Sequence, residues 1–294
     1  MGSKVVPLER FDEAQRAGER ERLLASADDG CELEGPFERI AVFGGIYNNH
    51  VALAALLEES GDAQARYCLG DLGGFGPSPE KVWPLLEAGG VRSIQGNYEQ
   101  SLASGADDCN CGYTDPRDNH YAEISYRYTA ERCSQPFRDY MGALPPRRRV
   151  RVGERELLLV HGSPRRVNEF LFDSTTSDAF LERLLDQERC DAILCTHSGL
   201  HWHRRLPSGR DVVNVGVIGR PANDGTTVVH YAVFAANTDR LEVELRPLRY
   251  DHEALAAEMR AEGLPEPFVE TILTGWWTTC LEILPAKERA RARF

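Results

Sequence analysis

The chain has 294 residues, 42% hydrophobic and 27% charged, with a net charge of −12; this balance suits one main globular domain with appendages. Its acidic excess repels nucleic acid and anionic membranes, which excludes a general polyanion binder. No stretch reaches the roughly 18 continuous apolar residues of a membrane span, and the charged segment "ERFDEAQRAGERER" is unlike a secretory signal, so a cytoplasmic location is expected.

In chain order, residues 1–37 form a polar, Glu- and Arg-rich lead that reads as a helix and a linker. From Glu38 onward short apolar runs, "RIAVFG", "ARYCLG", "VRSIQG", "ELLLVHG", "DAILCTH" and "DVVNVG", recur as strands. Several are separated by helix-length segments such as "VALAALLEES" and "DAFLERLLDQ", which predicts an α/β domain over residues 38–250. "PPRRRVRV" reads as an exposed hairpin edge, and "TTVVHYAVFAA" with "LEVELRPLRY" predicts a second, more antiparallel sheet. Residues 251–294 read as a helical extension in which Trp276 and Trp277 form a packing seam.

The eight cysteines are expected to be reduced, buried as small hydrophobes or acting as ligands. Cys109 and Cys111 in "DDCNCGY" stand close together, but an isolated C-x-C pair is a weak metal signal and reads as structural or incidental. The surrounding segment, "DDCNCGYTDPRDNHYAEISYRY", is expected to cap a pocket.

Four polar residues share one topological position. Asp71 follows "YCLG", Asn97 follows "SIQG", His161 follows "LLLV" and His197 follows "ILCT", each at the C-terminal end of a predicted strand. Ligands of open α/β sheets gather at that edge. One carboxylate, one amide oxygen and two imidazoles suit Mn, Fe or Zn better than Ca or Mg. Taken singly, each residue reads as a turn former or a hydrogen-bonded structural histidine; the shared position is what favours a metal site.

The ordered segments "GDLGGFGPSP", "QGNYE", "VHGSPR", "THSG" and "VVNVGVIGRP" resemble the motifs of the calcineurin-like metallophosphoesterases, in their small bacterial phosphodiesterase and phosphatase branch, from about Ile40 to Tyr250. The resemblance implies a sandwich of two mixed β-sheets flanked by helices, here with helical N- and C-terminal extensions. It also implies two metals bridged by one Asp. The family's opening Asp-x-His-Gly-Asn falls on Gly45, Ile46, Tyr47, Asn48 and Asn49, so both first-metal ligands are missing. The second-metal set matches Asp71, Asn97, His161 and His197 in full.

The expectation is one retained divalent transition metal, Mn, Fe or Zn, in a hydrolase of phosphate mono- or diesters on a small molecule. The alternative is a catalytically inactive protein of the same fold that binds a phosphorylated ligand or a protein partner. Tyr47 and Tyr98 replace two family histidines, and the readings are hydrogen bonding to phosphate, proton donation to a leaving group, phenolate ligation of a ferric ion, or packing. Asn49, Arg165 in "HGSPR" and Arg220 in "IGRP" are candidate substrate-binding residues. His50, His201 and His203 are minor candidates for a replacement ligand.

Overall fold

The computed structural model describes residues 31–237 and 240–290. Most of the N-terminal lead and the last four residues lie outside that range. No helix of the described residues is long and apolar enough to cross a membrane.

The first sheet starts with β2 (Arg39–Phe43), β3 (Ala65–Cys68) and β4 (Val91–Ser93), which run parallel. Parallel neighbours need crossovers. Helix α1 (His50–Glu59) supplies the first, and a 3₁₀ turn with α2 (Val82–Ala88) supplies the second. β10 (Val229–Ala236) pairs antiparallel with β2, and β11 (Leu241–Leu248) pairs antiparallel with β10, extending the sheet. The two late strands thus complete a mixed sheet instead of forming one of their own, because β10 supplies the free edge of β2 with partners.

The second sheet contains β1 (Leu33–Phe37), β5 (Arg148–Val152), β6 (Arg155–Leu159), β7 (Ala192–Cys195), β8 (Trp202–Arg205) and β9 (Asp211–Asn214), in the order β1-β5-β6-β7-β9-β8. Two expectations are corrected here. Residues 33–37 are not linker: β1 pairs in parallel with β5. The arginine-rich "RRVRV" is consequently an interior strand, between β1 and β6, whose guanidinium groups are neutralised by carboxylates, Arg148 by Glu34 and Arg149 by Glu156.

Strand side chains alternate between two buried faces. Ile40, Val42, Tyr67, Leu69 and Ile94 meet Val150, Leu157, Leu159, Leu194 and Val213 between the sheets. Ala41 and Phe43 instead face Leu53 and Leu56 of α1, while Leu158 and Ile193 face Leu181, Leu184 and Leu185 of α6 (Asp178–Glu188). Burial on both faces explains why the strands read as continuous apolar runs. Each fully buried aliphatic side chain contributes about 1.5–3 kcal/mol, so the sandwich holds the strand ends firmly.

One polar contact lies within this frame. The rings of His201 and His230 stack with centroids 3.7 Å apart, and both Nδ1 atoms are buried without a hydrogen-bond partner. Burial, then the neighbouring His201, push His230 down to about 4 against a smaller opposing pull from Asp224. An unfolded chain takes up this proton near pH 6.5 and the folded one does not, so stability falls as pH drops from about 6.5 to about 4, by about 1.4 kcal/mol per unit. Denaturant midpoints of the parent and His230→Phe, compared at pH 7 and pH 5, should show a smaller acid loss in the variant; equal losses would show that the stacked pair does not govern this slope.

Candidate metal centre

The parallel strands bring the four strand-end donors to one edge. Cys68 of β3 aligns with Ser93 of β4, and Leu159 of β6 aligns with Leu194 of β7. Each donor follows within a few residues of those aligned ends: Asp71 and Asn97 from the first sheet, His161 and His197 from the second. All four are buried.

Local backbone sets their directions. Gly70 and Asp71 turn through left-handed conformations at φ +88° and +57°. Asn97 opens helix α3 (Asn97–Ser104). Glu99, two residues on, accepts the backbone N–H groups of Asp71 (2.7 Å), Leu72 (2.8 Å) and Gly96 (2.7 Å), tying the end of β3 to the start of α3. Burial, then the Asp71 charge, push Glu99 up to about 7 despite these three donors. Sequence reasoning missed Glu99, although its position three residues after Gly96 has the spacing of a helix-capping carboxylate.

The donors converge on His161 Nε2. Asn97 Oδ1 lies 3.1 Å from it, His197 Nδ1 3.0 Å and Asp71 Oδ2 3.3 Å. The far nitrogens are occupied: His161 Nδ1–H donates to Leu69 O at 2.6 Å, and His197 Nε2–H donates to Cys111 O at 3.2 Å. Those anchors turn both inward nitrogens toward Asp71, the arrangement of metal-bound histidines held from behind. Burial lowers the His161 pKa, but the Asp71 charge and hydrogen bond outweigh it and raise it above an ordinary imidazole, so an ion bound there would displace a proton. Burial, then His161, push His197 down to about 3, so its ring stays neutral. Asn97 donates Nδ2–H to Cys109 O at 2.8 Å, which turns its oxygen inward. Asp71, His161 and His197 have ligand atoms mutually within 4.8 Å, and they form a group able to hold a metal ion. Two imidazoles, an amide oxygen and a carboxylate around one point fit a divalent transition metal.

A cavity of about 50 Å³ adjoins the donors, with Tyr47, Phe75, Tyr98, Tyr113, Phe268 and Arg220 among its walls. That volume holds on the order of a few water molecules. Tyr47 stands in left-handed backbone, and its ring fills a slot floored by glycine: a Cβ on Gly219 would lie 2.4 Å from Tyr47 Cβ. Burial, then the Asp71 charge, raise its pKa well above an ordinary phenol, so it stays protonated. Tyr98 also lines the cavity, with its hydroxyl 2.9 Å from Ser125 Oγ in α4 (Pro116–Arg132) and its pKa raised by burial. Arg220 is 6% exposed, its guanidinium carbon is 3.5 Å from the Trp277 ring centroid, and its Nε has no hydrogen-bond partner. Among the described residues no carboxylate forms an ion pair with it.

Other candidates lie elsewhere. Arg165 is half exposed, 3.8 Å from Glu169 and over the Phe180 ring, so the strand-end loop aims it outward. Asn49 is committed to the fold: its oxygen caps α1 at Ala52 N and its amide donates to Ile218 O. His50 pairs with Glu258, His203 with Asp211, and His201 with His230, so none joins the donors. Cys109 and Cys111 are joined in a disulfide, against the expectation of reduced thiols, because the loop folds back on itself at Asn110. Cys68, Cys133, Cys190, Cys195 and Cys280 are free thiols.

Gly96 packs inside the donor group, where an added Cβ would lie 2.5 Å from Asp71 Oδ1 and 2.8 Å from His161 Nδ1. Gly96→Ala should therefore separate the donors and abolish metal retention while costing about 1–3 kcal/mol of stability. Elemental analysis and denaturant unfolding of the same preparation check this; undiminished metal content would show that the packing at Gly96 does not set the donor geometry.

No protein-family model matches the chain. An uncharacterized protein of Methanocaldococcus jannaschii is 22% identical over 254 residues, covering 80% of this chain and 98% of that protein. A crystal structure of a metallophosphoesterase from Sphaerobacter thermophilus superposes with a TM-score of 0.63 at 23% identity, covering 81% of this chain and 99% of that one. A hypothetical protein from Pyrococcus horikoshii superposes with a TM-score of 0.69 at 22% identity, covering 82% and 99%. Two mixed sheets face to face, helices outside them and a polar group at the shared strand edge make this the metallophosphoesterase fold.

Proposed function

We propose that the chain is a metal-dependent hydrolase of a phosphate ester on a small molecule, with one divalent transition metal held by Asp71, Asn97, His161 and His197. The observation that carries this reading is the unpaired, buried guanidinium of Arg220 on the wall of the cavity that adjoins the four donors. A buried cation without a carboxylate is costly unless an anion arrives to meet it.

A divalent ion bound there supplies Lewis-acid polarisation of a phosphoryl oxygen and activation of water. The chain's own groups do the rest. Arg220 offers a planar fork for two phosphoryl oxygens, and stacking on Trp277 limits its reorientation. Tyr47, a neutral phenol with no hydrogen-bond partner among the described residues, can donate to a third oxygen. Asp71 Oδ1 accepts Tyr98 N–H at 3.2 Å, which leaves Oδ2 toward the histidines. The aromatic walls exclude bulk water, which strengthens each of these contacts. The net charge of −12 supports a small phosphorylated substrate over nucleic acid, and the cytoplasm is the proposed location.

A second reading, ligand binding without turnover, is favoured by one observation: the Tyr47 ring fills the slot in which the resemblance places a first-metal ligand. A screen of mono- and diesters with Mn, Fe or Zn separates the two. Metal-dependent turnover lost in His161→Ala supports the hydrolase; tight binding of a phosphorylated compound with no turnover under any metal supports the second reading.

Protein purified without chelators should hold close to one transition metal per chain, and Asp71→Ala should hold none, because it removes the only carboxylate of the set. Elemental analysis showing two tightly bound ions would overturn the single-site reading. Arg220→Ala should keep its metal and lose about 10²- to 10³-fold in kcat/KM, the range for removing one preorganised donor to developing charge. Arg220→Lys should recover only part of that loss; full recovery would mean that point charge alone suffices.

A further inference from the structure

The disulfide between Cys109 and Cys111 lies in the loop between α3 and α4, and its small ring holds the carbonyls of Cys109 and Cys111 against the site. Cys109 O accepts from Asn97 Nδ2 at 2.8 Å, and Cys111 O accepts from His197 Nε2 at 3.2 Å. Between them, Asn110 O accepts from Asn168 Nδ2 at 3.0 Å, which ties the loop to the segment after His161. The Cys111 sulfur itself lies 3.4 Å from Asn97 Nδ2. The contacts that orient two of the four donors thus come from one covalently closed three-residue ring. Cys109 is buried, whereas Cys111 is half-buried and lines the cavity.

We propose that Cys109–Cys111 is a thiol–disulfide exchange site that controls the metal donors: oxidised, the ring clamps Asn97 and His197; reduced, it releases them. The proposal rests on the metal reading above only for its consequence, a change in metal affinity. In the exchange, a thiolate of a small dithiol attacks Cys111 Sγ and the S–S bond breaks. The electron pair passes to Cys109 Sγ, which takes a proton. The second thiol of the dithiol then attacks the mixed disulfide and frees Cys111 as a thiol. Two electrons and two protons enter the protein, and the dithiol leaves as a cyclic disulfide. Without the bond, the two carbonyls lose their fixed separation, and the amide of Asn97 and the ring of His197 gain freedom to turn.

The test compares full-length oxidised protein with protein reduced by dithiothreitol and desalted anaerobically, the sulfur state being verified by alkylation and intact mass. In metal-free samples, the rate of His197 carbethoxylation by diethylpyrocarbonate, read by peptide mass spectrometry, should rise several-fold on reduction. Titration with Mn or Zn should show affinity weaker by about 10- to 100-fold in the reduced form, the range for losing a group that orients a metal ligand. A Cys109→Ala/Cys111→Ala variant should behave as reduced protein in both conditions, and a variant that still responds to the dithiol places the response at another cysteine and overturns the proposal. Equal carbethoxylation rates in oxidised and reduced wild-type protein, or equally tight metal binding by both, overturn it without recourse to the variant. If neither form binds an ion yet His197 labelling rises on reduction, the clamp stands and the metal reading falls.

Discussion

The buried carboxylate of Glu99 is the contact on which the site depends. It accepts backbone N–H groups from Asp71 and Leu72 beyond β3 and from Gly96 before α3, so it joins the two segments that carry Asp71 and Asn97. Three backbone donors at a helix N-terminus offset only part of the desolvation of that carboxyl group, and losing it would leave three buried donors unmet. Much of the surrounding geometry follows. Asp71 keeps a left-handed backbone, Gly96 has no room for a Cβ, and Tyr98 N–H falls on Asp71 Oδ1. The His161 ring docks onto the same turn through Leu69 O, which brings the second sheet to the first.

Around that anchor the site divides its charges. Asp71 carries the negative charge of the donor set, and Arg220 stands at the cavity with no carboxylate paired to it among the described residues. Stacking on Trp277 offsets part of the cost of burying the guanidinium, on the order of 2 kcal/mol for a desolvated cation–π contact. The Trp277 indole is fixed in turn by Nε1–H donating to Pro221 O and by its own backbone N–H on Asn223. Phe268 and Cys280 add further wall. The segment after β11 therefore belongs to the site as much as the strand ends do: it holds the cation that the sheets do not supply.

The tyrosines divide in the same way. The Tyr98 hydroxyl is already engaged with Ser125, whereas Tyr47 leaves its hydroxyl without a partner among the described residues and buries its ring against glycines. Gly45 and Gly219 have no side chains where a ligand and its neighbours would need volume.

Asp71, Asn97, His161 and His197 were legible because the signal for each is local: an apolar run, a small residue, then a polar group at a strand's C-terminal end. The α/β alternation and the helix-length crossovers were legible for the same reason, since period and run length are properties of neighbouring residues. Direction was not. Arg165 and Arg220 follow similar motifs, yet one points to solvent and the other is stacked on a tryptophan 57 residues away in the chain. Asn49 looked free but spends both ends of its amide on the fold. Leu33–Phe37 looked like linker because a strand that pairs only with distant β5 has no local mark beyond its few apolar residues. The disulfide and the carbonyls that orient Asn97 and His197 depend on how a loop closes, which composition does not specify. By itself, then, the sequence determined which side chains stand at the strand ends. Only the tertiary structure decided which of the remaining groups meet, because a hydrogen bond or a stacked ring depends on orientation to within an ångström, and packing between segments far apart in the chain sets that orientation.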